Sequence, residues 1–244
     1  WDYAVAAIIL AIPVFLIARQ PDLGTALLVF AAGLYVIILA GLPWKWILPF
    51  IALGVIGILL IIIFGNTICA QDVIWPLIHN YQKNRICTLL DPSSDPLGKG
   101  FHTIQSMIAI GSGGFWGKGF LGGTQTKFDF VPEQSTDMVF CTIGEEHGFV
   151  GVMFMILLFL GFLWRLMYLA DLQRSRFARA YGFGLVGILF FHFLVNIGMT
   201  IGLMPIMGIP LPFFSYGGSS LWSFTILLFI FLKLDSHRSD MLSR

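Results

Sequence analysis

The sequence predicts an all-α fold, a polytopic transmembrane helical bundle with one large extracytoplasmic loop. Hydrophobic residues make up 57% of the 244 residues and charged residues only 11%, whereas a soluble domain carries about 25% charged residues. The apolar residues are gathered in long runs, and the short connections between the runs alternate in their content of Lys and Arg. A soluble globular domain is therefore excluded, and the net charge of +1 gives no support for nucleic-acid binding.

Six stretches approach the length of about 20 apolar residues that a helix needs to cross a bilayer. They are residues 3–18, 25–40, 46–64, 138–163, 183–204 and 219–234. We treat residues 1–244 as a single membrane domain. The loop between the third and fourth spans, residues 65–137, contains no long apolar run, and a loop of this length is usually functional.

The distribution of Lys and Arg predicts which side of the membrane each connection faces. The turn at 41–45, the connection at 165–179 and the C-terminal tail hold most of the bases of the short connections. By the positive-inside rule they face the cytoplasm, so the loops at 65–137 and 205–218 face outward. The chain starts at Trp1 without an initiator Met, and we expect it to be a piece that begins between spans.

The outward loop ends at Asp137, directly before an apolar helix. Asp137 is the leading candidate for a reacting group at the membrane surface, but an Asp at this place also suits an N-cap, and both interpretations stay open. The glycine cluster Gly111–Gly114 fits either a phosphate cradle or close packing, and we favour packing.

Other polar residues of the spans and the outward loops have competing explanations. Asp22 suits an N-cap of the second span but lies on the same side as Asp137. Four outward bases suit an anionic ligand such as a pyrophosphate, and solvent or lipid headgroups explain each equally well. These bases are Arg85, Lys99, Lys118 and Lys127.

Three ionisable residues, Glu145, Glu146 and His147, lie two to three turns inside the fourth span. Charge at membrane depth is costly and indicates function by default. We expect Glu145 and His147 to make structural contacts with Asn196 or His192 of the next span, and the role of Glu146 stays open.

The chain has three cysteines, and their spacing does not suit a metal site. Cys69 and Cys87 fall in the same loop. They would form a disulfide if this loop faces an oxidising compartment, and free thiols without a role are the alternative.

Five motifs occur in order along the chain. They are Arg-Gln-Pro-Asp-Leu-Gly-Thr at 19–25, Leu-Leu-Asp-Pro…Asp-Pro-Leu-Gly-Lys-Gly-Phe-His-Thr-Ile-Gln-Ser at 89–106, Ala-Ile-Gly-Ser-Gly-Gly-Phe-Trp-Gly-Lys-Gly at 109–119, Pro-Glu-Gln-Ser-Thr-Asp-Met-Val-Phe at 132–140 and Pro-Leu-Pro-Phe-Phe-Ser-Tyr-Gly-Gly-Ser at 210–219. Together they resemble the SEDS family (shape, elongation, division and sporulation), and most closely its rod-shape members. The family has ten spans, and this chain resembles the last six.

The resemblance implies a multi-pass protein of the bacterial plasma (inner) membrane with its active loop on the extracytoplasmic side. The implied activity is that of a peptidoglycan glycosyltransferase, which polymerises lipid II into glycan strands during cell elongation. The implied partners are lipid II, membrane lipids and a class B penicillin-binding protein transpeptidase, with no nucleic acid. The family's essential loop aspartate falls on Asp137 and its cavity aspartate on Asp22.

We predict that Asp137 is the catalytic base that deprotonates the acceptor 4-hydroxyl, because the polyprenyl pyrophosphate departs without a protein acid. Lys118, Arg85 or a divalent cation (Mg²⁺ or Mn²⁺) would hold the pyrophosphate, and no other cofactor is expected. The predicted substrate-binding residues are Asp22, Arg85, Gln105, Lys118, Glu133 and Ser215.

Two alternatives to an enzyme remain open. A flippase that carries lipid II outward would explain broken helices and carboxylates at membrane depth. A scaffold would recruit a penicillin-binding protein without catalysis.

Overall fold

The computed structural model describes residues 2–20, 22–70, 85, 87–90, 99–128, 130–131 and 133–240, and across these ranges it contains helices and no strand. The helices in the first part of the chain are α1 (Asp2–Arg19), α2 (Leu23–Leu39) and α3 (Trp44–Ala70). The loop region holds α4 (Lys99–Ser112) and the short α5 (Thr124–Lys127). The helices after it are α6 (Val139–Asp171), α7 (Arg176–Thr200) and α8 (Gly218–Asp240).

Each of the six predicted spans falls on one long helix, which confirms the polytopic helical fold class. Val139–Asp171, Arg176–Thr200 and Gly218–His237 are long and apolar enough to cross a membrane. Shorter apolar helices cover Tyr3–Arg19, Gly24–Leu39 and Lys45–Gly57. The observed α3 and α6 run past the predicted ends at 64 and 163, because hydropathy marks the membrane boundary while polar residues can continue a helical backbone.

The outer faces of the helices are apolar. Phe154 and Trp164 of α6 are 67% and 73% exposed, and Trp222 and Phe229 of α8 are 70% and 63% exposed. Water would strongly disfavour so many exposed large side chains, whereas lipid tails solvate them. The protein is therefore a membrane protein.

The main core lies between α6, α7 and α8. Phe159 of α6 stacks face to face on Phe193 of α7, with ring centroids 4.2 Å apart. Leu189 of α7 and Phe231 of α8 are fully buried in the same cluster. Because α7 also packs against α2, it is the central helix that joins the two sets of spans.

Helix α6 is broken at Gly148, whose φ of 64° and ψ of −164° are not helical. In a continuous helix the N–H groups of residues 149 and 150 would pair with the carbonyls of residues 145 and 146. The glycine loop, residues 113–123, provides other partners for all four groups. The hydrogen bonds run from Lys118 N to Glu145 O (3.0 Å), Gly119 N to Glu146 O (2.9 Å), Phe149 N to Gly114 O (2.9 Å) and Val150 N to Phe115 O (3.2 Å).

This pairing brings the glycine loop against the backbone of α6. A Cβ added at Gly113 would collide with the carbonyl of Gly144, and one at Gly117 would collide with the carbonyl of Glu146. Only glycine allows two backbones to approach this closely. Gly113 thus serves close packing, the alternative that the sequence favoured, whereas a Cβ added at Gly111 or Gly114 would meet no atom within 4 Å.

Candidate active site

Asp137 lies just before α6, where its carboxylate is half-buried. The N-cap of α6 is Met138, and the cap has no side-chain hydrogen bond, so the capping explanation of Asp137 is wrong. The main-chain carbonyl of Asp137 accepts a hydrogen bond from Asn196 Nδ2 at 2.8 Å. Within the described ranges, no hydrogen bond or ion pair engages its carboxylate, which remains available for chemistry.

The surroundings of Asp137 make its carboxylate a stronger base than a free aspartate. Burial raises its pKa, and the negative charge of nearby Glu133 raises the pKa further. A carboxylate that is partly removed from water binds a proton more tightly, because its charged form is less well solvated. This is the shift that a general base needs to work closer to neutral pH.

Two other predicted site residues, Asp22 and Arg85, lie close to each other. Burial lowers the pKa of Arg85, and the nearby negative charge of Asp22 acts in the opposite direction and favours the charged guanidinium. Arg85 also borders a small cavity together with Pro205 and Ile206 of the segment that follows α7.

The segment after α7 connects this pair to Asp137. Gly24, at the start of α2, packs tightly against Met207. The next residue, Gly208, lies beside Asp137, since a Cβ built there would be 3.3 Å from Asp137 Oδ2. The segment 205–208 thus lies beside Asp137, borders a cavity with Arg85, and contacts Gly24, two residues after Asp22.

Asp22 is also the N-cap of α2, as its position suggested. Its Oδ1 accepts a hydrogen bond from Thr25 N at 3.2 Å, and its Oδ2 accepts one from the Thr25 hydroxyl at 2.5 Å. These two bonds fix the orientation of the carboxylate.

Glu145 is structural, as expected, but its partners differ from the prediction. The fully buried carboxylate forms an ion pair with Lys118 Nζ at 2.7 Å. It also accepts hydrogen bonds from the N–H groups of Thr124, Gln125 and Thr126 at 2.8 to 3.0 Å. The expected contact with Asn196 or His192 is wrong for Glu145, because the break at Gly148 brings the glycine loop, and not α7, against this part of α6. It is also wrong for His147, whose side chain is exposed.

The same ion pair bears on the prediction for Lys118. Its ammonium group is bonded to Glu145 and also donates to Thr124 Oγ1 at 2.7 Å. A cation that is already neutralised attracts a pyrophosphate less strongly than a free one. A substrate-binding role for Lys118 stays a prediction, and the ion pair weighs against it.

A large cavity of about 850 Å³ lies between α6, the glycine loop and the start of α8. Ser215 borders it, and the Ser215 hydroxyl accepts a hydrogen bond from Leu211 N at 2.7 Å. Ser135 and Val139 also line it, but Asp137 between them does not. The side chain of Asp137 points instead toward Gly208.

The remaining predicted residues take different positions. Glu133 is exposed with a φ of 56°, and its Oε2 accepts a hydrogen bond from the Thr136 hydroxyl at 2.8 Å. Gln105 on α4 is half-buried and is not among the residues that line either of these two cavities. In the part of the chain that the structure describes, no cluster of three or more His, Cys, Asp or Glu residues could hold a metal ion. A divalent cation stays a prediction.

Cys69 at the end of α3 and Cys87 are joined by a disulfide, with their Cα atoms 5.8 Å apart. Of the two alternatives for these cysteines, the paired one is therefore confirmed. Cys141 is a free thiol buried in α6.

Sequence reasoning missed the role of Asn196 and left Glu146 unassigned. Asn196 is fully buried and joins Asp137 to the segment after α7. Glu146 lines the large cavity. An amide and a carboxylate at membrane depth are the signal that both residues gave, but their partners depend on contacts between distant segments.

Comparison with known proteins assigns the chain to a family. The FtsW/RodA/SpoVE family model, described as "Cell cycle protein", matches residues 1–240. The peptidoglycan glycosyltransferase MrdB of Escherichia coli (strain K12) is 41% identical over 241 residues, which cover 98% of this chain and 61% of that protein. The peptidoglycan glycosyltransferase RodA of Treponema pallidum (strain Nichols) is 41% identical over 187 residues, covering 77% of this chain and 41% of that protein.

Solved structures agree with this assignment. One, described as the structural coordination of polymerization and crosslinking by a peptidoglycan synthase complex, matches with a TM-score of 0.71 and 37% identity over 98% of this chain and 62% of that one. The crystal structure of the rod shape determining protein RodA of Thermus thermophilus matches with a TM-score of 0.58 and 30% identity over 98% of this chain and 56% of that one. Because the family model matches residues 1–240 and the E. coli relative matches 98% of the chain, the chain belongs to the FtsW/RodA/SpoVE family, the SEDS proteins.

Proposed function

We propose that this chain is part of a peptidoglycan glycosyltransferase that polymerises lipid II into glycan strands during cell elongation. The support is the family, together with relatives named as peptidoglycan glycosyltransferases at 41% identity. The chain spans 61% of the E. coli relative, so the activity is proposed for the protein at its natural full length.

The observation that carries the proposal is the state of Asp137. Its carboxylate is half-buried, its pKa is raised by burial and by Glu133, and it has no partner among the described residues. Asp137 accepts the proton of the acceptor 4-hydroxyl as that oxygen attacks the anomeric carbon of the donor. The bond to the polyprenyl pyrophosphate breaks in the same displacement, which inverts the anomeric configuration.

The leaving pyrophosphate needs positive charge rather than an acid. Arg85 is better placed for this role than Lys118, because it borders the segment that leads to Gly208 and Asp137, whereas Lys118 is directed to Glu145 inside α6. An Arg guanidinium can bind two phosphate oxygens at once. A divalent cation supplied with the substrate would act together with it.

We propose a class B penicillin-binding protein as partner and the outer face of the plasma membrane as the site of reaction. A structural relative was described as a complex that coordinates polymerization and crosslinking. The Cys69–Cys87 disulfide supports an outward loop, since disulfides persist in oxidising compartments.

The test compares wild type with Asp137→Asn in the natural full-length protein, mixed with its partner and lipid II, by measuring glycan strands. We expect the substitution to lower the rate by about 10²- to 10⁴-fold, the usual contribution of a general base. Asp171→Asn, an exposed carboxylate at the far end of α6, is the matched control and should retain the wild-type rate.

Normal glycan synthesis by Asp137→Asn would refute the assignment of the base. A wild-type protein that moves lipid II across vesicles without making glycan would instead support the flippase. An Asp137→Asn variant that lacks glycan synthesis but binds its partner and restores rod shape would support the scaffold.

A further inference from the structure

Glu146 has a carboxylate that the mechanism above does not use. The residue is only 8% exposed, and its side chain lines the 850 Å³ cavity. Its main-chain carbonyl is paired with Gly119 N. Within the ranges that the structure describes, its carboxylate has neither a hydrogen bond nor an ion pair.

The neighbouring Glu145 shows what a structural carboxylate looks like in this protein. Glu145 is matched by an ammonium group and three backbone N–H groups. Glu146 has none of these partners among the described residues, and its carboxylate oxygens are accessible from the cavity instead of being enclosed by protein atoms. Glu146 therefore has the properties of a group that is satisfied by a ligand.

The walls of the cavity indicate the chemistry of that ligand. The lining includes the polar residues Gln134, Ser135 and Thr142 as well as Glu146. It also includes the aromatic residues Phe213 and Phe214. A sugar has hydroxyl groups that donate to a carboxylate and C–H faces that pack on aromatic rings, and about 850 Å³ lies in the usual range for a small-molecule site.

A pyrophosphate fits this wall poorly. The Glu146 carboxylate repels an anion. Lys127 also lines the cavity, but its side chain is exposed, so water and salt screen its attraction for an anion. A hydroxyl group, in contrast, forms a charge-assisted hydrogen bond with a carboxylate, which is shorter and stronger than a neutral one.

We propose that Glu146 is a substrate-binding residue that accepts a hydrogen bond from a sugar hydroxyl of the lipid-linked substrate in the 850 Å³ cavity. The identity of the substrate rests on the proposed function. The cavity then holds a saccharide of the substrate next to the segment 135–139, in which Asp137 lies between the lining residues Ser135 and Val139.

The experiment measures the binding of two ligands to the natural full-length protein in nanodiscs. One ligand is lipid II, and the other is undecaprenyl pyrophosphate, which lacks the sugars. Glu146→Gln keeps the shape of the side chain but replaces a charged acceptor with a neutral one. We expect the Kd for lipid II to rise about five- to tenfold, and the Kd for undecaprenyl pyrophosphate to stay unchanged.

Thermal unfolding without ligand separates this role from a structural one. Glu146→Gln breaks no hydrogen bond or ion pair among the described residues, so the melting temperature of the free protein should equal that of wild type. Asp171→Asn, the same chemical change at an exposed position of the same helix, should change neither Kd.

Three results would overturn the inference: equal binding of lipid II by variant and wild type, an equal loss of both ligands, or a lower melting temperature of the free variant. If the affinities for both ligands fell equally, and the loss depended on added Mg²⁺, Glu146 would be a residue that binds a cation. A wild-type protein that makes no glycan but binds lipid II in a Glu146-dependent way would refute the proposed function and leave this inference standing.

Discussion

The side-chain amide of Asn196 on α7 donates to the main-chain carbonyl of Asp137 at 2.8 Å and to that of Ile209 at 2.7 Å. One fully buried side chain thus ties the segment before α6 to the segment after α7. The two segments also meet where Asp137 lies beside Gly208. The position of the proposed base is therefore set by a residue that does not itself carry out the reaction.

Asn196→Ala should destabilise the protein and slow glycan synthesis. Two buried carbonyl groups would lose their donor, which costs about 2–4 kcal/mol in the free energy of unfolding. Because Asp137 would no longer be held by Asn196, kcat should fall by a larger factor than KM rises. Denaturation in detergent and a glycan assay at several lipid II concentrations measure both effects.

Thr200→Val is the control for that substitution. Thr200 is also buried on α7, and its hydroxyl donates only to Ile197 O of the same helix, among the contacts that the structure describes. The Thr200→Val protein should be somewhat less stable than wild type but should keep the wild-type kcat. If both variants lowered kcat equally, Asn196 would not position Asp137.

The rate of glycan synthesis should fall as pH is lowered through the raised pKa of Asp137. Only the deprotonated carboxylate accepts a proton, so the acid limb should lie above the value of about 3.9 for a free aspartate. Burial is the larger cause of the raised pKa and Glu133 the smaller one. Glu133→Gln removes the second cause, so the acid limb should move to lower pH, whatever happens to the maximal rate. An acid limb that stays in place or moves upward would show that Glu133 does not act on the base.

The ion pair between Lys118 and Glu145 should matter for stability rather than for substrate binding. Glu145→Ala leaves an unpaired ammonium group and three unpaired N–H groups, and we expect a loss of about 3–5 kcal/mol in the free energy of unfolding. Lys118→Met should cost less, about 1–3 kcal/mol, because the N–H groups still hold the carboxylate.

His147→Gln, an exposed change two residues after Glu145, is the control for stability in detergent and should unfold like wild type. The KM of Lys118→Met for lipid II provides the second readout. If Lys118→Met had the melting temperature of wild type but a sharply raised KM for lipid II, Lys118 would be a substrate-binding residue.

Replacing Cys69 and Cys87 with serine should destabilise the loop region. The disulfide closes a segment of 18 residues, and a loop of this size is worth about 3 kcal/mol. Thermal unfolding of the oxidised protein against the double variant measures the loss. Equal melting temperatures would show that the bond contributes nothing.

The same cysteines test which side of the membrane the loop at 65–137 faces. After mild reduction of intact spheroplasts, a membrane-impermeant maleimide should label Cys69 and Cys87, while buried Cys141 stays unlabelled. Labelling of the pair only after the cells are opened would place the loop in the cytoplasm and refute the proposed orientation.

Sequence patterns were sufficient for the helical membrane architecture and for local features. Apolar runs predicted six helices, and each is present. The sequence explained Asp22 as the N-cap of a helix. Its side chain accepts hydrogen bonds from Thr25, three residues later, as an N-cap does. Such features depend on neighbours within one helical turn, so the order of residues is enough to determine them.

The partners of the buried polar groups were decided only by the tertiary structure. Glu145 pairs with Lys118 and not with the next span, because Gly148 breaks α6 and the glycine loop takes the freed backbone groups. Asn196 reaches Asp137 across 59 positions of the chain. Periodicity and composition report which residues avoid water, but they do not encode which distant segments meet, and in this protein that meeting determines where each carboxylate lies.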